Sequence, residues 1–169
     1  MKNYLLLLFL VVTTMVCHGE SITIATEHLV QWEGFSSKVY RPTKYDKHTI
    51  GYGFTDKDLV SKKTMSKAEA RKILEMKVKA QAAYVDKVVK VKLTAKQKAA
   101  LIVFSYNVGN TAFKNSTLVK VLNEGKYDQV PLEIAKWNKE TYTEKGVRKV
   151  RVLRGLTNRR NSEIKLWKD

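Results

Sequence analysis

A single cysteine, Cys17, is all this chain offers to thiol chemistry, and it sits in an apolar stretch close to the start. One thiol cannot make an internal disulfide. If the chain is cut after Gly19, none remains for a zinc–thiolate site or a cysteine nucleophile, and the exported protein must be held by its hydrophobic core. Histidine is equally sparse: His18, His28 and His48 show no spacing that would hold a metal with further carboxylates, so neither metal nor cofactor is expected. Ser105 is not in the strained turn of a serine nucleophile. Gly51-Tyr52-Gly53 lacks the following helix and the Lys-Ser/Thr of a phosphate loop. These absences leave a carboxylate-based site as the chemistry to look for.

Acids are themselves outnumbered, 16 Asp and Glu against 32 Lys and Arg, giving a formal charge of +16 over 169 residues. Such a field favours polyanions, whether nucleic acid, anionic membrane or acidic cell wall. The cations are spread along the chain, as in KVKAQAAYVDKVVKVK, rather than gathered with aromatics in a nucleic-acid motif, so no nucleic-acid partner is expected. The length suits one domain, or two lobes sharing a helix, with a sizeable core.

The first twenty residues differ in composition from the rest. Lys2 gives a positive start, Tyr4 to Val16 run without a charge, and Cys17-His18-Gly19 ends on a small residue. Residues 1–19 therefore read as a secretory signal cut near Gly19, since the apolar run is short against the roughly 20 residues of a membrane span. The protein is expected in the periplasm or outside the cell; an uncleaved signal would tether it to the inner membrane instead.

Residues 20–169 read as α+β but predominantly helical. Ser21 can cap a first helix carrying Ile24, Leu29, Val30 and Trp32, and Gly34 can stop it. Lys38 to Phe54 changes to strand formers around a turn-rich Pro42 to Asp46, which predicts a small, irregular hairpin. Ser66-Lys67-Ala68-Glu69 and Thr94-Ala95-Lys96-Gln97 are capping boxes. The first opens a long helix to about Val89, and the second a buried helix through Phe104 that Gly109 stops. Further helices are expected from about Ser116 to Asn123, Asp128 to Trp137 and Leu156 to Leu166, with Asn138 to Arg154 polar, basic and loop-rich. This divides the chain into a small lobe at about 20–65, a connecting helix at about 66–89 and a helical lobe at about 90–169.

Glycoside cleavage needs an acid at the leaving oxygen and usually a second group that positions water or attacks the ring. Glu33 suits the first role at the end of an amphipathic helix beside Trp32, although on composition alone a lone Glu before Gly is more often an ordinary, solvated helix-end residue. The wider pattern narrows the choice. Glu33-Gly34, Tyr40 and Thr49-Ile50-Gly51-Tyr52-Gly53 are followed by Phe104-Ser105-Tyr106-Asn107-Val108-Gly109. Asn115-Ser116-Thr117-Leu118 and Gly155-Leu156-Thr157-Asn158-Arg159-Arg160 come next in the same order. Together they resemble the phage-type lysozymes, the muramidase endolysins of glycoside hydrolase family 24, over nearly all of residues 20–169.

The resemblance implies a lysozyme-like fold, a small helix-plus-hairpin lobe and a helical lobe joined by a long helix, with a cleft between. It implies an enzyme that hydrolyses the β-1,4 bond between N-acetylmuramic acid and N-acetylglucosamine in peptidoglycan, causing host lysis; a monomer is expected. Glu33 matches the general acid, Thr49 the threonine that helps hold water, and Tyr106 and Ser116 positions that contact sugar. Arg159 and Arg160 match a pair of arginines, one of which could meet Glu33 or another carboxylate, or which could equally form a solvated basic face. The family's middle acid is missing: nine residues beyond Glu33 stands Pro42, and the nearest carboxylate is Asp46. Either Asp46 takes that role or it is a turn residue. In the latter case Glu33 acts alone, as in a lytic transglycosylase giving an anhydro product, or the protein is a cationic wall-binding relative without catalysis. Phe54 replaces a usual His and Arg154 a usual Pro.

Overall fold

The computed structural model describes residues 19–43 and 46–169. The signal reading, including Cys17, falls on residues outside those described except for Gly19. No described helix is long and apolar enough to cross a membrane.

Helix α1 covers residues 19–33. It ends at Glu33 because Gly34 takes the left-handed conformation (φ 65°), which costs a glycine nothing sterically. Its inner face is Ser21, Ala25, Thr26 and Leu29, all buried. Ser21 is therefore an interior helical residue and not the expected cap. Gly19 and Glu20 already carry the helix, and Thr23 and Thr26 return their hydroxyls to the Gly19 and Ile22 carbonyls at 3.2 and 2.8 Å.

The hairpin forms from β1 (Ser36–Tyr40) and β2 (Thr49–Gly51), antiparallel, with Ser36 opposite Gly51 and Tyr40 opposite Thr49. The register shifts between these pairs, so the expected irregularity is present, and β1 begins two residues before Lys38. Ile50 and Phe54 exchange backbone hydrogen bonds of 3.0 and 2.9 Å, folding Gly51-Tyr52-Gly53 into a tight turn. Gly51 sits at φ 65° with the buried Phe54 ring against it: a Cβ there would lie 2.8 Å from ring carbons Cδ2 and Cε2. A short α2 (Lys57–Ser61) follows.

Helix α3 (Lys67–Val88) is capped by Ser66, whose hydroxyl accepts from the Glu69 N–H. At about 1.5 Å per residue its 22 residues span about 33 Å, enough to run from the hairpin lobe into the helical one. It buries the stripe Ala70, Leu74, Val78, Ala82 and Val85. Helix α4 (Ala95–Val108) begins with the reciprocal Thr94–Gln97 capping box and ends at Gly109, φ 86°. Every residue from Lys98 to Ser105 is buried, so α4 is enclosed on all sides. Lys98 enters this interior at the helix start by pairing with Asp86 at 2.6 Å.

Around α4 lie α5 (Asn110–Lys114), α6 (Thr117–Asn123), α7 (Val130–Ala135) and α8 (Arg154–Lys168). The helix expected over Asp128 to Trp137 is divided. Tyr127–Gln129 forms a 3-10 turn, and α7 starts at Val130, which leaves Pro131, with no N–H to give, in the first turn. Phe104 meets Phe113 and Trp137 edge-on, at 6.3 and 5.6 Å between centroids.

The segment expected to be loop-rich is instead a regular ribbon. Strands β3 (Lys139–Glu144) and β4 (Val147–Val152) pair antiparallel through six residues each, from Lys139 opposite Val152 to Glu144 opposite Val147. Lys145 and Gly146 form the two-residue turn, both with positive φ, 49° and 78°. The strand signal was present in the strand formers Thr141, Tyr142 and Thr143 and in Val147, Val150 and Val152, but dense charge obscured it. Those charges partly satisfy one another: Lys149 pairs with Glu144 at 2.5 Å and Arg151 with Glu140 at 2.8 Å.

Candidate active site

Glu33 occupies the last turn of α1, half-buried, with its side chain 20 % exposed. Arg159 of α8 donates from Nη2 to its Oε1 at 2.7 Å. The hairpin approaches the other oxygen: a Cβ on Gly53 would lie 3.4 Å from Glu33 Oε2. Gly53 has φ 78°, so the close approach and the backbone geometry both favour glycine. Three segments far apart in sequence thus meet at one carboxylate.

Tyr106 of α4 stands within electrostatic reach of the same group. Burial pushes its phenol pKa up, the Glu33 and then the Asp56 carboxylates add to this, and Arg159 opposes it. The phenol therefore keeps its proton at neutral pH and is a hydrogen-bond donor there. Asp56 is held by Lys77 Nζ at 2.9 and 3.0 Å, and Lys77 lies 5.6 Å above the Phe54 ring. His28, near-parallel to Trp32 at 6.4 Å, shares a 2.9 Å hydrogen bond with Ser162. Burial first, then the charge of Arg159, lower its pKa, which favours the neutral ring.

Arg160 follows Arg159 but turns inward. It is 1 % exposed, donates to Asn107 Oδ1, and lies 5.0 Å over the Phe104 ring. Glu163, fully buried one turn further along α8, lies within ion-pair range of both guanidiniums.

The remaining expected site residues are placed less centrally. Thr49 is buried in β2, opposite Tyr40, and its hydroxyl donates to the Lys47 carbonyl at 3.0 Å, leaving the oxygen able to accept. Asp46 is exposed in the loop before β2, and its N–H donates to the Thr43 carbonyl at 3.1 Å, as a turn residue does. Pro42 is exposed in the same loop. Ser116 is the N-cap of α6: its hydroxyl donates to Phe113 O at 2.7 Å and accepts from Val119 N at 3.2 Å. Among the described residues no cluster of His, Cys, Asp and Glu could hold a metal ion.

The family model described as phage lysozyme matches residues 30–163, from the last turn of α1 through the arginines of α8. The chain belongs to the phage lysozyme family. It is 36 % identical over 137 residues to an endolysin of Bacillus phage PZA, covering 80 % of this chain and 50 % of that one. It therefore spans about half the length of that relative. It is 36 % identical over 119 residues to a SAR-endolysin of Escherichia phage Mu, covering 70 % of this chain and 64 % of the other. Among solved structures, the endolysin from Escherichia coli O157:H7 phage FAHEc1 superposes with a TM-score of 0.74 at 28 % identity, covering 86 % of this chain and 91 % of that one.

Within this phage lysozyme fold, reading the sequence missed Gly53 as a contact of the acid, and Asn107, Asp56 and Glu163 as partners around it. A signal existed for Glu163. Arg159, Arg160 and Glu163 stand at i, i+1 and i+4, on neighbouring turns of one helix. Three charges in a row of polar residues nevertheless read as surface, because isolated charges are almost never fully buried.

Proposed function

We infer that this phage lysozyme cleaves peptidoglycan as an endolysin, hydrolysing the β-1,4 bond between N-acetylmuramic acid and N-acetylglucosamine with Glu33 as general acid. The observation that carries this is the convergence on Glu33: a single carboxylate at a helix end, gripped by Arg159 and approached by the Gly51-Tyr52-Gly53 turn. Glu33 is positioned by packing on both sides, as an acid that must reach a glycosidic oxygen requires. Thr49 and Asp46 are assigned to the attacking water, Thr49 accepting from it and Asp46 drawing its proton, and Tyr106 to sugar contact. Ser116 is left to the cap, since its hydroxyl proton goes to Phe113 O.

A second reading has one observation in its favour. Asp46 is exposed and bonded as a turn residue, which suits a site where Glu33 works without a second carboxylate and the muramic 6-hydroxyl attacks, giving anhydro ends. Purified peptidoglycan separates the readings: new reducing ends mean hydrolysis, anhydro ends transglycosylation, and no new ends a wall-binding protein. Glu33→Gln abolishes release of either product; a variant that still clears walls overturns the assignment of Glu33.

The charge of +16 draws the enzyme to an anionic wall in a salt-sensitive manner. Export through the leader fits a relative named SAR-endolysin and supports a periplasmic place of action.

A further inference from the structure

Glu163 is the one carboxylate among the described residues that is fully buried, at 0 % exposure. Its Oε1 is 3.5 Å from Arg159 Nε and 3.2 Å from Arg160 Nη2, an ion pair with each guanidinium. Arg159 thereby lies between two acids, with Nη2 on Glu33 at 2.7 Å and Nε toward Glu163.

We propose that Glu163 is a positioning residue of the site, which draws on the Nε edge of Arg159 and so sets how firmly that guanidinium holds Glu33. The proposal rests on Glu33 being the catalytic acid. When Glu163 is neutral, the charge of Arg159 is directed undivided to Glu33 and pins its Oε1 against the guanidinium. When Glu163 is ionised, it takes a share of that charge and loosens this hold, leaving the Glu33 carboxyl freer to turn to a leaving oxygen. The groups facing Glu163 are Arg160 and Arg159 from α8 and Glu33 from α1. His28 of α1 and the phenol of Tyr106 on α4 act on Arg159 in turn, while α7 buries Val130 and Ile134. Burial raises the Glu163 pKa to about 7, against the lowering by the two arginines, so its charge changes near neutral pH.

Glu163→Gln imitates the neutral acid at every pH, which gives the test a signature that a purely structural role lacks. Turnover is measured on soluble peptidoglycan fragments by counting new ends of either kind. Compared with wild type, the variant's kcat is within about twofold near pH 5 and about tenfold lower near pH 8, with KM little changed. A loss equal at both pH values, or carried by KM, overturns the proposal. In an Arg159→Gln background the further change Glu163→Gln alters kcat by less than about twofold; a full additive effect also overturns it. Should Glu163→Gln fail to fold, wild type and Arg159→Gln carry the test. The inflection near pH 7 must be lost in the second, and its persistence counts against the idea. Failure of the underlying reading looks different: wild type then makes no new ends, or Glu33→Gln remains active.

Discussion

Replacing Gly51 by alanine separates two reasons for a glycine that are usually confounded. Gly51 and Gly34 have the same backbone angle, φ 65°, but different surroundings. Nothing lies within 4 Å of a Cβ built on Gly34, whereas one on Gly51 meets two Phe54 ring carbons at 2.8 Å and Met65 Sδ at 3.1 Å. Gly34→Ala thus carries only the left-handed strain, about 1–2 kcal/mol. Gly51→Ala carries that and an overpacking term of about 1–3 kcal/mol, because Phe54 and Met65 are buried and have little room to yield. The sum, about 2–5 kcal/mol, is a large part of a typical domain's stability and lowers Tm by about 5–15 °C in a chain of this size. Urea unfolding of both variants, followed by tryptophan fluorescence, measures the difference directly. Equal losses, within about 0.5 kcal/mol, would refute the claim that the Phe54 ring dictates this glycine. Gly51→Ala combined with Phe54→Leu recovers part of the loss if it is correct.

Asp46→Asn leaves folding intact, since the residue is exposed, and removes most hydrolysis; near wild-type release of reducing ends refutes its assignment. Ser116→Ala lowers stability by about 1 kcal/mol through loss of the α6 cap; unchanged stability with lost activity would return Ser116 to sugar contact. For Glu163 the folded pKa of about 7 lies above the ordinary 4.5. Wild-type stability relative to Glu163→Gln is therefore greatest below about pH 4.5 and falls as pH rises through about 7, by at most about 3.5 kcal/mol. Denaturant unfolding at both ends of that window checks the sign, and a constant difference refutes it.

The parts of this fold legible in the sequence were those where local chemistry and tertiary packing agree. Thr94 and Gln97 specify a helix start by their own hydrogen bonds, and the six buried residues from Ala99 to Phe104 in α4 follow from an apolar run that leaves no polar face. Gly34 and Gly109 stop helices as glycine should. Ser21 shows the opposite case: a good capping residue is buried in mid-helix because the helix continues toward Gly19. The β3–β4 ribbon was hidden for a related reason. Its residues are almost all exposed, so no apolar alternation separates an inner face from an outer one. At the site, Glu33 was recognisable by pattern, and its meeting with Arg159 was one of several open possibilities. That Arg160 and Glu163 lie beneath was not readable, because pairing between buried charges depends on which helices pack together and leaves little trace in spacing.

The β3–β4 ribbon is also a closed excursion. Lys139 pairs with Val152 at its base, and Leu153 N–H bonds Asn138 O at 2.9 Å, so the chain leaves and returns at one point. Loop length beyond such a closed base changes chain entropy only slowly. In evolutionary terms the excursion is modular: it can be lengthened, shortened to a tight turn or exchanged for a wall-recognition segment while α7 and α8 stay in register. Relatives sharing this core are then expected to vary most between Asn138 and Leu153, and a designer seeking a new host range has there a graft site that leaves the grip of Arg159 on Glu33 undisturbed.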